Sequence, residues 1–307
     1  MPLSVQPPAA SVPDAGRKTV AVLGPGRVGG LLAALLAGAG HRVICLAREG
    51  SAGPLREGGI RVRSRQFGTL TTEVEADTVL REPVDLCLVT VKNTVLDAAL
   101  HRVPPHLLAD GALVPLLNGA EHLDVLRARY GDEAVVPAVI RVESTRTAPG
   151  VIEHGSPFVE IDLAGPPERP APLADLLTAA GPVTRLVPDE SEVMWGKLAF
   201  LAPFALLTTR HGQPIGHIRS AQRDTLAALV RETVAVGRAC GGRTADEVLA
   251  RYDAFPPDSR SSMQRDAEAG LPLELDAVGG ALLRAAERHG IRVPLTTRLV
   301  AELAARA

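Results

Sequence analysis

Two charged side chains stand out because of what surrounds them. Lys197 is the single charge in Met194-Trp195-Gly196-Lys197-Leu198-Ala199-Phe200-Leu201, at the entry to a long apolar helix. A lysine there either runs its aliphatic stem out to water or is held in a cavity with a partner. Burial would lower its pKa towards the range in which an ammonium donates a proton near neutrality. Glu274, in Leu271-Pro272-Leu273-Glu274-Leu275-Asp276, is one carboxylate in the first turn of a second apolar helix. It either stabilises that helix N-terminus, where negative charge is favourable, or, like the lysine, faces a cavity. Upstream, Ser261-Ser262-Met263-Gln264-Arg265-Asp266 offers two adjacent hydroxyls, able to cap the Glu274 helix or to bind a carboxylate.

A third feature is a phosphate cradle. Thr19 to Leu23 is a short apolar, β-branched run of the kind that forms a buried parallel strand. It leads into Gly24-Pro25-Gly26-Arg27-Val28-Gly29, followed by an apolar helix ending near Gly38 and Gly40. Strand, glycine turn and helix together are the context in which this motif means dinucleotide binding. Gly24 permits the tight turn, Gly26 keeps side-chain bulk away from the pyrophosphate, and Gly29 lets helix and strand approach. The helix N-terminus offers N–H groups to the phosphates. The next strand, Arg42 to Ala47, ends at Arg48, which suits the 2′-phosphate of NADP. Glu49 follows, and a carboxylate there can take the ribose hydroxyl of NAD instead. Arg27 is either a second phosphate contact or a solvated loop arginine.

The elements that must hold these groups alternate in type. Strand candidates follow at Asp85 to Val91, Ala112 to Leu117, Ala134 to Val142, Gly150 to His154, Phe158 to Ile161 and Pro182 to Val187, with helices at Val95 to Leu100, Asp124 to Tyr130 and Leu173 to Ala180. Between Gly59 and Leu80 the alternation reads as a β-excursion. Such a pattern predicts an α/β, doubly wound Rossmann-type sheet. Ligands of these sheets sit at the carboxyl ends of strands, which is where Lys92 and Asn118 fall. From Pro188 onward the periods are helical: Val193 to Thr209 (interrupted by Pro203), Ala221 to Ala239, Ala245 to Tyr252 (capped by Thr244 and Glu247), Leu273 to His289 and Pro294 to Ala305. The expected organisation is a disordered leader over 1–17, a nucleotide-binding domain over 18–188 and an all-helical domain over 189–307.

Composition narrows the class. A formal net charge of −2 argues against nucleic acid or an anionic membrane as the main partner. Cys45, Cys87 and Cys240 are scattered, with neither zinc spacing nor a disulfide framework. No histidine is assigned to a metal; His211 and His217 read as loop residues. Without a signal peptide or a membrane-length apolar run, the expectation is a cytoplasmic protein. The helical domain offers faces that could pair two copies into a homodimer.

The chain resembles the ketopantoate reductase (2-dehydropantoate 2-reductase) family. The markers are the Gly24 to Gly29 turn, Val89-Thr90-Val91-Lys92, Leu117-Asn118-Gly119, Gly150 to His154, Trp195-Gly196-Lys197-Leu198, Ser261 to Asp266, Glu274-Leu275-Asp276 and His289 to Pro294, in that order. The resemblance implies NADPH-dependent reduction of a 2-oxo acid, 2-dehydropantoate above all, in pantothenate biosynthesis. It implies that Lys197 protonates the nascent alkoxide and that Glu274 holds the substrate hydroxyl. It makes Ser262 a ligand of the substrate carboxylate and sets Lys92 and Asn118 against nicotinamide and substrate. In such a site, charge grows on a carbonyl oxygen as hydride arrives, and a nearby cation both stabilises it and delivers a proton. There is one departure. Leu201 and Ala205 stand where many relatives carry asparagine, one and two turns beyond the lysine, so that wall is apolar and a less polar carbonyl substrate stays open. A non-catalytic NADP-binding sensor is the alternative from another class.

Overall fold

A computed structural model describes residues 16–108, 110–242 and 248–306. The disordered leader expected over 1–17 falls almost wholly outside them, as does the expected Thr244–Glu247 cap. The chain divides into two compact units, one of 1–117 and 123–188, the other of 118–122 and 189–307.

The first unit is built on β1 (Thr19–Leu23), α1 (Arg27–Gly38), β2 (Arg42–Leu46), α2 (Glu49–Gly58), β3 (Ile60–Ser64), β4 (Gly68–Thr72), β5 (Glu75–Asp77), β6 (Leu86–Val89), α3 (Leu96–Leu100), β7 (Ala112–Pro115), α4 (His122–Tyr130), β8 (Ala138–Arg141), β9 (Ser144–Ala148), β10 (Val151–His154), β11 (Glu160–Ala164), α5 (Pro170–Ala179) and β12 (Val183–Val187). Five strands form a parallel sheet in the order β5-β2-β1-β6-β7. The chain winds one way from β1 and then the other, so the crevice beyond β1 and β6 is the switch point where such sheets bind ligands.

The later strands do not extend this sheet as a single doubly wound reading expects. β3, β4, β9 and β10 make a second sheet, and β8, β11 and β12 a third. The second sheet covers α1, which also packs on β1 and β2. That explains why α1 is apolar all round: every residue from Gly29 to Leu36 is buried. α2 forms although Gly50, Ser51, Gly53 and Pro54 give no helical signal, because Ala52 and Leu55 are buried on the sheet.

The second unit is helical: α6 (Glu190–His211), α7 (Ile215–Ala221), α8 (Arg223–Ala239), α9 (Val248–Ala254), α10 (Ser262–Glu268), a π-helical turn at Asp276–Gly280, α11 (Ala281–Arg288) and α12 (Pro294–Ala304). α6 is central and packs against α8, α10, α12 and the π turn. The Asp189 carboxylate caps its first turn by accepting from Ser191 N at 2.8 Å, and Gly212 ends it in the left-handed conformation. Pro203 does not interrupt it. Proline leaves the carbonyl four residues earlier without its helical donor, and here the Thr233 Oγ1 hydroxyl of α8 shares its proton between Ala199 O and its own helix's Val230 O, each at 3.1 Å. Few aromatic residues exist in this chain, and four of them (Phe200, Phe204, Tyr252 and Phe255) cluster against α6.

Three expectations need correction. His211 and His217 are helical, at the end of α6 and inside α7, because the break between them, opened by the left-handed Gly212, spans only Gly212 to Pro214. Ser261 caps α10 by accepting from Gln264 N at 3.0 Å, not the helix that carries Glu274. Glu274 stands immediately before its helix, whose opening is a π turn rather than α-helix. Gly279 and Gly280 lie in that turn, and glycine holds α geometry weakly. Among the described residues, no helix is long and apolar enough to cross a membrane.

Candidate active site

In the first unit, the glycine turn leaves β1 at the switch point. Gly24 has φ +85°, and a Cβ there would come within 2.5 Å of Val91 Cγ1. Thr90 Oγ1 donates to Gly24 O at 2.8 Å and fixes the turn against the end of β6. A Cβ on Gly29 would lie 2.2 Å from that same hydroxyl. Gly26 differs: a Cβ there would meet nothing nearer than Gly24 O at 3.8 Å. The protein's own packing does not require a glycine at this position, whereas a phosphate lying on the backbone does. No side chain caps the N-terminus of α1, leaving that end of the helix for an anion. Pro25 is buried, and Arg27 and Val28 are half-buried in the first turn of α1. These residues fit a dinucleotide pyrophosphate.

Arg48 follows β2, is exposed, and acts as the N-terminal residue of α2; its carbonyl accepts from Ser51 N and Ala52 N. Glu49 occupies the first turn of that helix, where its charge already has a favourable role. That leaves Arg48 as the cation at the strand end. Lys92 is half-buried and opens a 3₁₀ turn three residues beyond β6.

The second unit gathers the remaining candidates. Asn118 Nδ2 donates to Glu274 Oε2 at 3.1 Å, and Glu274 is only 8% exposed. Gly119, at φ +81°, lies so close to the π turn that a Cβ would come within 2.4 Å of Ala277 O. Arg284 of α11 grips Glu121 with Nε and a terminal nitrogen at 2.6–3.1 Å and reaches Asp276 with the rest of its fork. Three successive ties thus hold 118–121 on the stretch that carries Glu274. Lys197 lies half-buried in α6, and Leu201 and buried Ala205 follow it at helical spacing on the same face. Ser262 is half-buried at the first position of α10, while neighbouring Ser261 is buried and bonded to Thr208.

One residue of this group escaped the sequence reading. His122 is 3% exposed, and among the described residues neither ring nitrogen makes a hydrogen bond. Burial pushes its imidazole down to about 3, and the positive charge of Lys197 adds to the effect. The Asn118 backbone approaches the ring and opposes the shift in part, without the geometry of a hydrogen bond. Its only sequence signal was position, four residues beyond Asn118.

Comparison with known proteins gives this geometry its context. Residues 20–164 match the family described as ketopantoate reductase PanE/ApbA, and residues 190–307 match that family's C-terminal region. The chain belongs to the ketopantoate reductase family. Among its relatives, the 2-dehydropantoate 2-reductase of Caulobacter vibrioides is 33% identical, over 94% of this chain and 99% of that protein. The corresponding protein of Mycobacterium tuberculosis is 32% identical, over 93% and 97%. A crystal structure of a PanE/ApbA family ketopantoate reductase from Ralstonia eutropha shares the fold with a TM-score of 0.86 and 27% identity, covering 94% of this chain and 98% of that one. D-mandelate dehydrogenase in complex with NADH and anilino(oxo)acetate has the same fold at 19% identity.

Proposed function

We propose that this chain reduces 2-dehydropantoate to pantoate, an NADP-dependent oxidoreductase of the 2-dehydropantoate 2-reductase type. The observation that carries the reading is the hydrogen bond of half-buried Asn118 to buried Glu274, on the same helical unit as Lys197, in a chain that matches the ketopantoate reductase family over both halves. Bound NADPH supplies the hydride. Lys197 stabilises the charge that grows on the substrate's carbonyl oxygen and delivers the proton to it. Glu274, oriented by Asn118, accepts a hydrogen bond from the substrate hydroxyl. Ser262 holds the substrate carboxylate, and Lys92 and Asn118 line the nicotinamide end. Gly24 to Gly29 take the pyrophosphate, with Arg27 beside it, and Arg48 takes the 2′-phosphate. The division of labour we assign is a nucleotide-binding domain over 18–188 and a substrate domain over 189–307.

Leu201 and Ala205 favour a second reading, in which the same apparatus acts on a less polar 2-oxo acid or ketone. NADPH consumption with 2-dehydropantoate and with a panel of bulkier 2-oxo acids separates the two. Rapid turnover of 2-dehydropantoate is expected. Turnover of only the bulkier acids would move the assignment to the second reading, and NADPH binding without turnover of any would defeat both. We assign the chain to the cytoplasm, where its free thiols Cys45, Cys87 and Cys240 stay reduced. A homodimer paired through the helical domain is its proposed assembly, for which a solution mass of twice the chain is the test.

A further inference from the structure

Three other features among the described residues lack what His122 has. The open cavity beside Asp97, His101 and Arg129 has no buried polar side chain among these three. The exposed Val183 and Leu186 of β12 show nothing that would cover them. The Arg284–Glu121–Asp276 cluster is satisfied within itself. His122 is different in kind.

A buried polar group without a partner is destabilising, and native proteins keep few of them. His122 has two such atoms on one ring. The segment that carries it is not loose. Asn118 is tied to Glu274, Gly119 lies against the π turn, and Glu121 is gripped by Arg284. The fold therefore holds an unpartnered imidazole rigidly beside the residues assigned to substrate. Lys197 is near enough to act on the ring electrostatically. The α6 face that continues from Lys197 is apolar at Leu201 and Ala205, so it supplies no side-chain hydrogen bond of its own.

We infer that His122 is a substrate-binding and specificity-determining residue, a neutral imidazole that hydrogen-bonds an oxygen of the bound 2-oxo acid. The inference rests on the reductase reading above. A neutral ring presents one N–H donor and one acceptor, so it can pair with a hydroxyl or a carboxylate oxygen without introducing a second cation beside Lys197. Its low proton affinity keeps it in that form throughout the physiological range. Its partnerless state in the free protein is then the structural cost of a preformed site, a trade between stability and function that is common where binding groups are buried.

The test compares wild type, His122→Leu and His122→Asn. For His122→Leu we expect the KM for 2-dehydropantoate to rise about tenfold or more, as when a site loses one buried hydrogen bond to its substrate. The dissociation constant for NADPH should stay within about twofold of wild type. The unfolding midpoint of the ligand-free protein should be unchanged or higher, because an apolar side chain removes two orphaned atoms. His122→Asn keeps a donor and an acceptor and should recover part of the KM. An unchanged KM overturns the inference. So does a lower unfolding midpoint of the ligand-free protein, which would make His122 a structural residue. This last readout needs no substrate. If wild type fails to turn over 2-dehydropantoate, the functional reading falls and takes the substrate role of His122 with it, whereas a lower midpoint of His122→Leu beside normal wild-type turnover overturns the inference about His122 alone.

Discussion

At the scale of single residues, burial decides which groups can do chemistry. Lys197 and Glu274 were visible in the sequence because each is a charge set in apolar company, and the structure buries Glu274 and half-buries Lys197. His122 was invisible because one histidine after an Asn-Gly pair has no period and no motif; its burial comes from tertiary packing. That burial has a measurable consequence. The folded ring stays neutral down to about 3, whereas in the unfolded chain it protonates near 6.5. Between those values the unfolded state binds more protons, so this contribution is fully present above about pH 6.5 and is lost as pH falls. Wild type should lose about 2 kcal/mol more than His122→Leu between about pH 7 and pH 5, read by denaturant titration. An equal loss in both would mean that the ring titrates normally. Arg48 makes a second prediction. Arg48→Ala should weaken NADPH binding by about tenfold or more and NADH binding far less. Equal weakening of both, by fluorescence titration, would remove the 2′-phosphate assignment.

At the scale of elements, the long helices and the glycine turn were legible, and their ends were not. Ser261 caps α10, a short helix whose seven residues are too few to show a period. Glu274 precedes its helix because Gly279 and Gly280 loosen the opening turn, which hydrophobic spacing alone does not register. Pro203 reads as an interruption in the sequence, yet α6 runs through it, since the compensation lies on another helix. Thr233 is buried and donates to the carbonyl that Pro203 leaves without a partner. Thr233→Val keeps the shape and removes that donor. It should destabilise the protein by about 1–3 kcal/mol, measured as a lower denaturant midpoint. In a Pro203→Ala background, which restores the N–H, the same substitution should have a smaller effect. An equal effect in both backgrounds would separate Thr233 from the proline.

At the scale of the whole molecule, the change from alternating strands and helices to helices alone near Pro188 was plain in the sequence, and so was the Rossmann-type order around β1. The allocation of the later strands to two further sheets was not, because alternation specifies a strand's faces and not its neighbours. The same limit applies to Asn118. It follows a strand of the first unit in sequence, yet it groups with the helical unit through Glu274. The substrate assignment therefore concentrates on one unit, with Lys197 as its acid. The most direct test is a single turnover of enzyme-bound NADPH with saturating 2-dehydropantoate in Lys197→Ala, followed by absorbance. The account predicts a rate at least about a hundredfold below wild type, with NADPH affinity within about twofold. A Lys197→Ala enzyme that oxidises NADPH at the wild-type rate would contradict it.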